Sequence, residues 1–101
     1  MAKIAVAYNN KSEQCHSLLL QLADYIPRHG GELISPDNSP GFLVTELNKH
    51  DLRSAAAVIC LGGDGTLLTA VRHLAPYGVP VFGVNMGRVG FLSAVEQADA
   101  F

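Results

Sequence analysis

Five residues, G-G-D-G-T from Gly62 to Thr66, have the types and spacing best suited to chemistry in this chain. Gly62, Gly63 and Gly65 lack a Cβ and can take positive φ, so phosphate oxygens can come close to backbone N–H groups. Exposed amides and the positive end of a following helix dipole then favour an anion. Asp64 is the odd member. Its carboxylate would repel a phosphate unless it serves another purpose, accepting a proton from an attacking hydroxyl or holding Mg²⁺. The plainer alternative is a tight strand-to-helix turn in which Asp64 or Thr66 caps the helix.

The elements around the turn must place it. Ala55 to Leu61 is an apolar run without charge, stopped by glycines, and it reads as a central strand buried on both faces. After the turn, Leu67, Leu68, Val71, Leu74 and Ala75 recur at helical spacing, which predicts a helix from Thr66 to about Leu74. Val79 to Val84 is a further apolar strand, with Pro80 near its start where a missing N–H is tolerated. It leads into a second glycine cluster, N-M-G-R-V-G-F-L, which carries Asn85, Arg88 and Phe91. Strand, helix and strand joined by short turns make a parallel unit with a right-handed crossover. Both clusters then emerge at the carboxyl edge of the sheet, where open α/β sheets bind ligands.

The rest of the chain extends this pattern. Lys3 to Tyr8 reads as a strand, and Asn9 to Ser12 as a polar turn in which Ser12 or Asn10 could cap the next helix. That helix has Cys15, Leu18, Leu19, Leu22 and Ile26 at the 3.6 period, and Pro27 and then Gly30-Gly31 end it. Glu32 to Ile34 is a short strand, and S-P-D-N-S-P-G from Ser35 to Gly41 a loop, either a plain connector or near a ligand. Phe42 to Arg53 is ambiguous; a short helix is favoured over an extended strand. The expected fold class is α/β, an open, mostly parallel sheet with helices on both faces, of the Rossmann or flavodoxin-like kind.

Composition narrows the function classes. The chain has 101 residues, enough for one small domain or part of a larger one. A formal charge of −2 with scattered Lys and Arg argues against a nucleic-acid backbone binder. Two cysteines, Cys15 and Cys60, suit buried free thiols in a reducing compartment, without metal-ligand spacing. The start M-A-K-I-A-V-A-Y is too short and too quickly polar for a signal peptide or a membrane span, so a cytoplasmic protein without membrane partners is expected. His16, His29 and His50 read as surface residues, and His73 sits late in its helix, where a cation suits the dipole.

Read together, L-G-G-D-G-T-L-L-T-A-V-R and V-F-G-V-N-M-G-R-V-G-F-L-S resemble the amino-terminal domain of NAD kinases, which share a phosphofructokinase-like fold. The two motifs cover roughly residues 57–93. The resemblance implies ATP-dependent phosphorylation of the adenosine-ribose 2′-hydroxyl of NAD to give NADP, with Mg²⁺ or another divalent cation. It implies that Asp64 is the general base, that Gly65 lies beside it at the nucleotide, and that Gly62, Gly63 and Thr66 shape the loop facing the phosphates. Phe91 would lie against the NAD adenine, Leu68 would line the pocket, Asn85 would hold the loop or touch substrate, and Arg88 would be near the nucleotide.

This sequence departs from that family at Thr69, where many members carry a basic residue, although Arg72 lies a turn further along. Residues 1–101 then form the amino-terminal nucleotide-binding domain; the family's carboxyl-terminal β-rich domain is not in this chain, and turnover by these residues alone is not expected. A homo-oligomer is expected of the full-length protein. The first motif also occurs in 6-phosphofructokinases and in diacylglycerol and sphingosine kinases, so a lipid or sugar kinase stays open. A non-catalytic assembly domain is the alternative of another class.

Overall fold

The computed structural model describes residues 2–9 and 13–85. Strand β1 (Ala2–Tyr8) leads through helix α1 (Glu13–Arg28) to β2 (Gly31–Ile34), then to β3 (Phe42–Leu43) and a 3₁₀ helix (Val44–Lys49). Strand β4 (Ala57–Gly62), helix α2 (Asp64–Leu74), a 3₁₀ turn (Ala75–Tyr77) and β5 (Val81–Asn85) follow. The sheet runs β2-β1-β4-β5 with β3 also on β1, and every pairing is parallel. The α/β class, with helices on both faces, is the one the strand and helix alternation demands.

Alternate side chains of the central strands feed two cores. Ala5 and Ala7 of β1 and Val58 and Cys60 of β4 face Ala70 and Leu74 of α2 and Val44 and Leu47 of the 3₁₀ helix. Val6, Ile59 and Leu61 face Cys15, Leu19 and Ile26 of α1. Leu19, Leu61, Val6 and Val58 are fully buried, and each such side chain contributes about 1.5–3 kcal/mol.

Three local details differ from the sequence reading. Phe42 to Arg53 is neither one helix nor one strand: β2 pairs with β1 only as far as Ala5↔Ile34, and Phe42–Leu43 takes the places beside Ala7 and Tyr8. The 3₁₀ helix then begins at Val44. Pro27 does not end α1 but lies inside its last turn, because one missing N–H there removes a single bond. The stop comes at Gly30, at φ +87°. Finally, α2 buries Thr66, Ala70 and Leu74, a stripe with a spacing of four, while Leu68 and Val71 are exposed at 52% and 37%. Apolar residues at helical spacing are thus shared between two sides of this helix, only one of which meets the sheet.

Candidate active site at the carboxyl edge

Parallel register brings three strand ends to one rim. Tyr8 pairs with Leu61, and Gly62 with Asn85. The start of the second glycine cluster therefore stands beside the first, as the crossover argument expects. The Asn85 side chain, Arg88 and Phe91 lie outside the described residues, as do the proposed caps Asn10 and Ser12.

The three glycines of the turn are not equivalent. Gly62 has φ +154°, a conformation that side chains rarely adopt, and a Cβ there would come within 2.6 Å of Thr66 Oγ1. The fold itself requires this glycine. Gly63 does not take positive φ: it is the extended N-cap of α2, at φ −93° and ψ −170°. Gly65 lies within the helix, and a Cβ on Gly63 or Gly65 would meet nothing within 4 Å. Packing among the described residues therefore demands no glycine at either place, although glycine costs a helix up to about 1 kcal/mol relative to alanine.

Helix α2 starts at Asp64, two residues before the expected Thr66, with the Leu67 amide donating to the Gly63 carbonyl at 3.1 Å. No side chain among the described residues caps it, so the plain capping roles for Asp64 and Thr66 are not the ones adopted. The first-turn amides remain without intrahelical acceptors and face the same rim. Asp64 is exposed, and no described residue hydrogen-bonds or ion-pairs with its carboxylate. Leu68 stands one turn along the same helix face, so the residue expected to line a pocket is next to the candidate base.

Thr66 is the buried polar residue among those described, 6% exposed. Its hydroxyl accepts a hydrogen bond from Asn9 Nδ2 at 3.3 Å. The Asn9 amide donates to the Leu61 carbonyl at 3.2 Å, which also receives the Cys15 thiol at 3.7 Å. Asn9 was legible only as part of a polar turn; its partner is 57 residues away, and nothing in a single sequence signals that contact. Thr69 donates to the Gly65 carbonyl at 2.9 Å, so its hydroxyl serves its own helix, and Arg72 is exposed.

Neither thiol is in a disulfide, and both are buried. Burial pushes Cys15 up and Cys60 to about 12, so neither is a nucleophile at neutral pH. No group of three or more His, Cys, Asp or Glu among the described residues could hold a metal. A lone exposed carboxylate fits Mg²⁺ that arrives on substrate phosphates, the usual manner for this ion, and not a protein-built cage. His16, His29 and His50 are exposed, as read from sequence. No described helix is long and apolar enough to cross a membrane.

Comparison with known proteins agrees with this fold. The family model for the ATP-NAD kinase N-terminal domain matches residues 3–101. The NAD kinase of Ruminiclostridium cellulolyticum is 34% identical over 98% of this chain and 36% of its own length. That of Heliobacterium modesticaldum is 36% identical over 100% of this chain and 37% of its own. A shorter stretch, 43% of the chain, is 63% identical to the NAD kinase of Symbiobacterium thermophilum and covers 15% of that protein. The chain thus spans little more than a third of the length of the relatives it matches end to end, and it belongs to the NAD kinase family, in the part formed by that family's amino-terminal domain.

Proposed function

We propose that this chain supplies the nucleotide-facing domain of an enzyme that transfers the γ-phosphoryl group of ATP to the 2′-hydroxyl of the adenosine ribose of NAD. Asp64 accepts the hydroxyl proton as the ribose oxygen forms its bond to phosphorus and the bond from phosphorus to the ADP oxygen breaks. An aliphatic hydroxyl is a poor nucleophile until that proton has somewhere to go. The observation that carries the reading is the exposed Asp64 carboxylate at the N-terminus of α2, which among the described residues has no partner and lies beside two glycines that packing does not require.

Gly63 and Gly65 leave room for phosphate oxygens against the first-turn amides, and Leu68 offers apolar surface next to the base. Gly62 and Thr66 shape the turn, with Asn85, Arg88 and Phe91 completing the nucleotide contacts from the second cluster. A divalent cation bound with ATP would neutralise charge on the phosphates, and positioning would supply much of the remaining rate. Residues beyond this chain complete the site, so these 101 residues alone are inactive; the full-length protein acts in the cytoplasm as a homo-oligomer.

The test offers the full-length protein ATP with NAD, with a diacylglycerol or with fructose 6-phosphate. NADP as the product supports the reading. Phosphorylated lipid or sugar, without NADP, would replace it with the corresponding kinase, and binding without transfer to any acceptor would leave an assembly domain.

A further inference from the structure

We infer that Asn9, which lies outside both glycine motifs, is a positioning residue for Asp64 and acts through Thr66; this rests on the phosphoryl-transfer reading above. Asn9 follows the last residue of β1 and touches β4 and α2 at once. Its amide holds the Leu61 carbonyl at 3.2 Å, and its side chain holds the Thr66 hydroxyl at 3.3 Å. Thr66 lies in the notch left by the missing Cβ of Gly62, two residues after Asp64 in the first turn of α2.

Gly63, the N-cap of this helix, has no side chain to cap it, so its first turn lacks the usual fastening. The Asn9 contact supplies one from a neighbouring strand. The buried Thr66 hydroxyl is taken by protein, and its part in the site is to fix the turn that carries the base. A small displacement of a catalytic group is costly: about 1 Å can cost a hundredfold in rate.

The experiment is a double-mutant cycle in the full-length protein. Asn9→Ala and Thr66→Val are each expected to lower kcat about tenfold, with KM for NAD changed less than about twofold. The double variant should lose no more than the worse single one, because both remove the same contact. Thr66→Ser, which keeps the hydroxyl, should recover at least half of the Thr66→Val loss on a logarithmic scale. Amide exchange at Leu67 should quicken in Asn9→Ala whatever the acceptor substrate is.

Losses that multiply in the double variant would overturn the inference, since Thr66 would then act on substrate independently of Asn9. A lowered Tm with kcat intact would overturn it too, as would unchanged exchange at Leu67. A wild-type protein that makes no NADP but shows the exchange difference would remove the reaction while leaving the fastening in place.

Discussion

At the amino edge of the sheet, around the end of α2, charged groups are held by other protein groups. Arg53 grips Asp51 with Nε to Oδ1 at 2.9 Å and Nη2 to Oδ2 at 2.8 Å, and its guanidinium lies 6.0 Å from the centre of the Tyr77 ring. These hydrogen bonds hold the Asp51 carboxyl well below the usual carboxylate range. Lys49 stands 3.7 Å from Glu46, and His50 meets the Phe42 ring edge-on at 4.8 Å. A cleft of about 450 Å³ opens among these residues, yet its charges already have companions. At the carboxyl edge the arrangement is reversed: the neutral polar groups Asn9 and Thr66 satisfy each other, and Asp64 has no companion among the described residues. A cleft alone does not mark the site: the carboxylate without a protein partner among the described residues lies at the other end.

The largest effect expected from this contrast is on turnover. Asp64→Asn in the full-length protein should lower kcat about a hundredfold or more, as loss of a general base does, with affinity for NAD near normal by calorimetry. Arg53→Ala at the opposite edge should leave kcat and Tm unchanged, because exposed ion pairs contribute little. Equal losses from the two variants would erase the distinction between the edges.

Next in size is Gly62→Ala, which adds strain at φ +154° and overlap with Thr66 for a destabilisation of about 2–4 kcal/mol by denaturant titration. A neutral result would mean that the turn is not built on that notch.

The third prediction concerns the strand just beneath the rim. The Cys60 thiol is held at about 12 by burial, whereas in the unfolded chain it ionises near its ordinary value. Below that value the thiol is protonated in both states and contributes nothing to the pH dependence. Above it the unfolded state binds fewer protons, so stability falls by up to about 1.4 kcal/mol per pH unit between roughly pH 9 and 12. Cys60→Ala should flatten the alkaline limb of an unfolding curve.

The smallest effect is the most discriminating. Gly65→Ala should stabilise the fold by about 0.5–1 kcal/mol, since alanine suits a helix better, while weakening nucleotide binding. Stabilisation with binding intact would show that the open space at Gly65 serves no ligand.

Much of the fold was legible because the apolar runs of β1, β4 and β5 and the spacing of Cys15, Leu19 and Ile26 are local patterns with one physical solution. The parallel rim followed from connectivity alone. What escaped depends on partners distant in sequence. Phe42–Leu43 becomes a strand only because β1 offers free backbone beyond Ala5, and Asn9 matters only because Thr66 is nearby in space. The start of α2 was misread by two residues because a glycine cap leaves no side-chain signal. That Leu68 and Val71 are exposed while Leu74 is buried could not be read from their helical spacing, because a 3.6 period gives the faces of a helix without saying which of them is covered. Asp64 could be singled out from its glycine neighbours, but its lack of a partner among the described residues could be learned only from the fold.

The broken flank of β1 has a consequence for self-association. One neighbour, β2, is four residues long and the other, β3, only two, and the connection between them carries Pro36 and Pro40. A neighbouring molecule approaching from that side finds short, offset rungs and prolines that cannot donate a hydrogen bond. Such interruptions discourage the intermolecular strand pairing that begins aggregation, a safeguard for a chain in which apolar residues make up 49% of the sequence.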